Sequence, residues 1–176
     1  MFKKFKPTYM LDVIYHLTPE ELAKHNIKAV LTDLDNTLIA WDNPNGTPEL
    51  LQWFETLKEA GVPVVVVSNN NAERVAKAVS PFGLDFIAHA KKPLPKGMNE
   101  GVTKLGLPKE NIVMVGDQVM TDVRAANGAG IRSILVKPLV ATDEWKTKPN
   151  RFMEKHIMKY LKKRNPKMDW RGDLGE

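Results

Sequence analysis

The chain has 176 residues, 43% hydrophobic and 27% charged: long enough for a real core, and unlike a disordered or fibrous composition. It contains no cysteine, which excludes disulfides, thiolate metal sites and cysteine nucleophiles. A net charge of +5 gathers at the two ends, with Lys3, Lys4 and Lys6 in front and Lys155, Lys159, Lys162, Lys163 and Arg164 behind. Those residues are either solvated faces or an attraction for a polyanion, nucleic acid or an anionic membrane.

The opening "MFKKFKPTYMLDVIYHL" has a basic start but no uninterrupted apolar segment and no small-residue cleavage site. Neither a signal peptide nor a transmembrane helix is expected, and the cytoplasm, with peripheral membrane contact allowed, is the default compartment. Residues 1–24 read as a helical lead-in, with "TPEEL" as a capping-box candidate. From about residue 25 to about residue 140, apolar β-rich runs alternate with helical patterns.

The candidate strands are "IKAVLTD", "VPVVVVS", "FIAHA", "NIVMVGD" and "IRSILV". The second and fourth are almost continuously apolar, as strands covered on both faces are. Between the first two, "TPELLQWFETLKEAG" places Leu50, Leu51, Phe54 and Leu57 at helical spacing, with Thr47 as N-cap, Pro48 in the first turn and Gly61 as terminator. "NAERVAKAVSPFG", "KGMNEGVTKLG" and "MTDVRAANGAG" read as three more helices, each running into a glycine. Residues 150–176 read as a basic helix and a polar tail that frays. The expected fold is a single α/β domain over residues 1–176, a doubly wound parallel sheet of Rossmann-like type with helices on both faces.

In such sheets ligands bind beyond the carboxyl ends of the strands. Asp33 and Asp35 stand after the first candidate strand, Ser68 and Asn69 after the second, Lys91 and Lys92 after the third, and Asp117 after the fourth, with Asp122 on the next helix. Crowded carboxylates repel unless a hard cation sits among them, and Mg²⁺ takes oxygen ligands of this kind. A cation and a lysine together neutralise a phosphate, and a hydroxyl and backbone N–H groups take its other oxygens. One carboxylate is then free to attack phosphorus, and the one two residues on can protonate the leaving alkoxide. Ser68 can alternatively cap the following helix. His89, in a strand-like run, reads as core or rim and not as a ligand, while Trp41 and Asp42 are candidates to touch substrate.

"DLDNT", "SNN", "KKP" and "GDQVMTD" resemble the four ordered motifs of the haloacid dehalogenase-like (HAD) phosphatases, and the pattern resembles subfamily IIIA and, within it, the YqeG family. The resemblance implies Asp33 as nucleophile and Mg²⁺ ligand, and Asp35 as general acid/base with its backbone carbonyl on the metal. It implies phosphate binding by Ser68 and Lys92, with Asn69 at the rim. It further implies that Asp117 holds Mg²⁺ and that Asp122 supports the metal directly or through water.

Many HAD enzymes carry an inserted cap. Here "AWDNPNGTP" and "NAERVAKAVSPFGLDFIAHA" are too short to fold as one, so the site should be open to large substrates. The motifs are similar to those of mitochondrial and plastid phosphatidylglycerophosphate phosphatases. With the basic ends and an amphipathic lead-in (Phe2, Phe5, Tyr9, Met10, Ile14, Leu17), that similarity favours a lipid phosphomonoester. The alternatives are a non-catalytic nucleic-acid or ribosome-associated binder on this fold, a nucleic acid 3′-phosphatase, and a receiver-type phosphoacceptor. The receiver needs an aspartate where the third strand ends in "HAKKP".

Overall fold

The computed structural model describes residues 2–40, 43–140 and 148–176. Six parallel strands form one sheet: β1 (Tyr9–Leu11), β2 (Ala29–Thr32), β3 (Val64–Val67), β4 (Asp85–Ile87), β5 (Ile112–Gly116) and β6 (Arg132–Val136). Their order is β1-β6-β5-β2-β3-β4. β2 is therefore central, with the chain running outward through β3 on one side and β5 on the other. The crevice at its carboxyl end is the topological switch point, where open α/β sheets bind ligands.

Alternation along the strands sorts the core into two layers. Val30, Val66, Val113, Val115 and Ile134 face one side, with Leu50, Trp53, Phe54 and Leu57 of α2 (Pro48–Glu59) and Val75 and Val79 of α3 (Ala72–Val79). Ala29, Leu31, Val65, Val67 and Met114 face the other, against Met98 of α4 (Lys96–Leu105) and Ala125, Ala126 and Ala129 of α5 (Arg124–Ala129). A Cβ added to Gly101 of α4 would come within 2.9 Å of Leu31 Cδ2, so the missing side chain lets that helix lie close on β2. The expected caps of α2 are present: Thr47 accepts from Leu50 N–H (3.2 Å), Pro48 opens the helix, and Gly61 follows it at φ 73°.

The lead-in departs from expectation. It is not helical throughout: β1 adds to the sheet edge beside β6, and only Pro19–Lys24 is α-helical (α1). Thr18 caps α1 by accepting from Glu21 N–H (3.2 Å), but the box does not close, because Glu21 turns to accept Leu174 N–H (3.0 Å). Phe5, Met10, Ile14 and Leu17 are buried in the core, and Phe2 and Tyr9 pack half-buried against it, so most of the apolar face of the lead-in is spent on the fold. β4 also ends sooner than "FIAHA" suggests. His89 lies beyond it, exposed at φ 48°, a rim residue and not part of the core.

The tail after α6 (Lys148–Arg164) does not fray either. Asp12 N–H donates to the Arg171 carbonyl (2.9 Å), Arg171 N–H to that of Met10 (3.2 Å), and Lys24 reaches the Gly175 carbonyl (3.0 Å). Leu174 is buried in the layer that holds α2. The tail thus closes the open side of β1, satisfying backbone groups that an edge strand leaves bare. Leu174→Ala should cost about 2–4 kcal/mol of unfolding free energy, measured by chemical denaturation. A change near zero would mean the tail is only laid against the surface.

Candidate active site

Sequence places Asp33 and Asp35 on either side of Leu34, whose side chain is buried in the core and anchors the loop between them. Asp33 N–H still donates to the Val115 carbonyl (2.9 Å), prolonging the β2–β5 ladder by one residue. Past it the chain folds back sharply: Asn36 sits at φ 60°, and Leu38 and Ile39 N–H both return to the Leu34 carbonyl (3.1 and 3.2 Å). Both aspartates therefore stay at the rim of β2.

Three other loops arrive there. Lys92 comes from the loop after β4, and its buried ammonium donates to Asp33 Oδ1 (2.8 Å) and Asp122 Oδ1 (2.7 Å). That loop is pinned through its backbone. The Asn69 amide brackets Lys92, its Nδ2 donating to the Lys92 carbonyl (2.9 Å) and its Oδ1 accepting Lys92 N–H (2.7 Å). Ala90 N–H donates to the Ser68 carbonyl (3.0 Å). A Cβ on Gly97 would fall 2.5 Å from that of Ala90, so glycine is required there. Asn69 thus positions the lysine, a role the sequence did not suggest. Lys91 is exposed.

Asp117 directly follows β5, and Asp122 lies in the wide turn before α5, where Val123 N–H reaches back to Gln118 (3.3 Å). Such π-type turns recur at functional sites. Here the turn aims Asp122 back over Gly116, whose added Cβ would stand 2.3 Å from Asp122 Oδ2. Carboxylate oxygens of Asp33, Asp117 and Asp122 lie within 4.8 Å of one another. The side chain of Asp35 turns elsewhere, accepting from Asn70 Nδ2 (2.8 Å) and Arg74 Nη2 (3.2 Å). Ser68 is buried and accepts Asn70 N–H (3.1 Å), while α3 is capped by Asn71 and not by Ser68. Trp41 and Asp42 lie outside the described residues.

Besides Asn70 and Arg74, two more contributors were missed. Arg151 of α6 donates to the carboxylate of Asp117, to its backbone carbonyl (3.0 Å) and to Glu154 (3.2 Å). Thr37, two residues past Asp35, points its hydroxyl at Asp117 Oδ1 (3.4 Å). The signal for Thr37 was its place in "DLDNT". Arg151 had only a weak one, a single acid three residues on in an otherwise basic helix.

The chain matches the family of haloacid dehalogenase-like hydrolases over residues 7–130. It is 46% identical over 165 residues to a Bacillus subtilis protein described as probable phosphatase YqeG, covering 93% of this chain and 96% of that one. The chain belongs to the haloacid dehalogenase-like hydrolases. It is 31% identical over 135 residues to phosphatidylglycerophosphate phosphatase 1 of Arabidopsis thaliana, which spans 71% of this chain but 38% of that relative. Among solved structures, a 4-nitrophenylphosphatase from Thermotoga maritima superposes with a TM-score of 0.56 at 18% identity, over 71% of this chain and 91% of the other, a likeness of fold. The chain is thus an enzyme, a HAD phosphatase, and its connections from β2 to α2 (residues 33–47) and from β3 to β4 (residues 68–84) are too short to fold as a large cap.

The electrostatics of the HAD site are those of too many acids in too little water. Burial, then the charges of Asp33 and Asp122, push Asp117 well above the ordinary carboxylate value, against the pull of Arg151. Burial and Asp33 likewise push Asp122 up to about 7. Burial alone would lower the pKa of Lys92, but Asp122 and Asp33 overrule it and hold the ammonium above its usual range. Asp33, Asp117 and Asp122 face Lys92 and Arg151, so among these residues negative charge is in excess by one. The donor set, three carboxylates at close quarters, fits a divalent hard cation.

A pH dependence follows. Between 3.8 and about 7, folded Asp122 holds a proton that the unfolded chain has released. The native state then binds more protons, so the contribution of Asp122 to stability falls as pH rises across that window. In EDTA, wild type should lose thermal stability relative to Asp122→Asn between about pH 4 and about pH 7. Parallel curves for the two proteins would show that Asp122 does not titrate there.

Proposed function

We propose that the protein is a Mg²⁺-dependent phosphomonoester hydrolase acting through an aspartyl-phosphate on Asp33. The observation that carries the reading is the convergence of the Asp33, Asp117 and Asp122 carboxylates within 4.8 Å, with the Lys92 ammonium on two of them. Asp33, Asp117 and Asp122, together with the backbone carbonyl of Asp35, would hold the Mg²⁺. When bound, the ion supplies positive charge to the phosphoryl oxygens and relieves the crowding of the acids.

The chain's own groups then divide the work. Lys92 and the Ser68 hydroxyl bind phosphate oxygens, with Asn69 keeping the lysine in place. An Asp33 carboxylate oxygen attacks phosphorus as the bond to the leaving oxygen breaks. Asp35 gives that oxygen a proton. Its pKa is raised by burial first and by the Asp33 charge second, which favours the protonated form a general acid needs. In the second half Asp35 takes a proton from water, the water oxygen bonds phosphorus, and the bond to Asp33 breaks to release inorganic phosphate.

The substrate favoured is a large phosphomonoester, and among large ones a lipid. The connections around the site are too short for an inserted cap, so in this reading the bulk of a large substrate is what excludes water. The similarity to a relative described as a phosphatidylglycerophosphate phosphatase supports the same class.

A panel of small and lipid phosphomonoesters should be hydrolysed with Mg²⁺ and left intact in EDTA. Asp33→Asn should lower turnover by about three orders of magnitude or more. Asp35→Asn should accumulate a phosphate label that hydroxylamine releases, because the group that activates water is gone. Undiminished turnover in EDTA, or by the Asp33 variant, would overturn the mechanism.

A further inference from the structure

Helix α6 has two unlike faces. Glu154, Ile157 and Leu161 point inward, the two apolar side chains joining Phe5, Met10, Val119, Val123 and Leu135. Glu154 accepts Met120 N–H (3.1 Å), and Arg151 grips Asp117, so the helix is bonded to the loop that carries the candidate metal ligands. On the opposite side Phe152, His156, Lys159 and Lys163 recur at i, i+4, i+7 and i+11, a spacing that lines them along one stripe. Met153 and Lys155 flank it. Phe152 is 66% exposed and Met153 50%, and the Phe152 ring meets His156 edge-on at 4.7 Å. Glu154, the single acid of α6, is buried, so the outward face is cationic and apolar with no carboxylate among its described residues.

The position of that face matters as much as its chemistry. Among the described residues, Leu51, Leu94, Phe152 and Met153 are the large apolar side chains left exposed. Phe152 and Met153 directly follow Arg151, which touches Asp117, and Leu94 lies two residues past Lys92, which touches Asp33 and Asp122. Exposed apolar groups thus adjoin two residues that bond the site, Phe152 and Met153 next to Arg151 on α6 and Leu94 in the loop beyond Lys92.

We propose that the outer face of α6, led by Phe152 and Met153, docks on an anionic lipid bilayer and holds the phosphate site open toward the headgroups. The docking surface rests on the hydrolase reading for what it delivers, but not for its own chemistry. Paired apolar side chains set among lysines match a headgroup–acyl boundary of negative charge. No helix among the described residues is long and apolar enough to cross a membrane, so this contact is peripheral. A second copy meeting the same face would bring lysine against lysine, which repels.

The test uses the full chain, Phe152→Ser/Met153→Ser and Lys155→Glu/Lys159→Glu, sedimented with phosphatidylcholine vesicles with or without phosphatidylglycerol. Wild type should bind the anionic vesicles, less so at high salt, and hardly bind the neutral ones. Each double variant should weaken partitioning by about tenfold or more. Both should keep wild-type turnover of water-soluble 4-nitrophenyl phosphate and wild-type circular dichroism. Failure of wild type to bind anionic vesicles, or wild-type binding by both variants, overturns the proposal. So does loss, in these variants, of an RNA complex or of a dimer formed without lipid, if the wild type shows no vesicle binding. Binding as expected, without phosphate release from an embedded lipid phosphomonoester, upholds the docking face and removes the lipid-substrate reading alone. Hydrolysis of small phosphomonoesters without vesicle binding removes the docking face and leaves the hydrolase reading standing.

Discussion

The buried ammonium of Lys92 ties together parts of the chain that have no other reason to meet. It bonds Asp33 at the end of β2 and Asp122 in the turn before α5, while its own backbone is clamped by Asn69 from the loop after β3. Removing a buried cation from between two carboxylates leaves both uncompensated, and that costs far more than a surface ion pair contributes. The rim of the sheet is therefore organised around one charge. The fold makes it affordable by bringing β2 to the centre of the sheet, where loops from both halves converge.

Backbone features around that charge follow from it. Lys91 is left-handed at φ 56°, as is His89 two residues before it. Non-glycine residues hold such conformations when their surroundings fix them, and here Gly97 and Ser68 close on Ala90 from two sides. Gly116 serves Asp122 in a similar way, since any side chain there would occupy the carboxylate's place. The positions that tolerate least change are thus the small residues under the acids as well as the acids themselves.

Much of this was legible in the sequence because the strands that carry the site are buried on both faces. "VPVVVVS" and "NIVMVGD" are near-continuous apolar runs, so a polar residue at the end of each stands out, and Ser68 and Asp117 were found that way. The edge of the sheet was not legible. β1 has three residues, too few to show a period of two, and its partner β6 lies at the far end of the chain. The tail was hidden for the same reason, since Arg171 and Leu174 acquire their roles only once β1 exists. Asn70 and Arg74 were hidden, and Arg151 nearly so, because a polar residue on a helix or loop carries little mark of what it faces.

The partition between the two aspartates of "DLDNT" is the clearest case of tertiary context deciding chemistry that spacing alone leaves open. Two residues apart on one strand end, they start as equivalents. Asp33 lies against the Lys92 ammonium and near the Asp117 and Asp122 oxygens, which is why the proposed mechanism gives it the attack on phosphorus and a share of the cation. Asp35 is turned to an amide and a guanidinium, and its proton is favoured first by burial and then by the charge of Asp33. The charge on Asp33 thus helps keep a proton on Asp35, so in the proposed mechanism the nucleophile readies the acid that must protonate the leaving oxygen. Electrostatic coupling across three residues of backbone would then prepare attack and proton transfer for the same step.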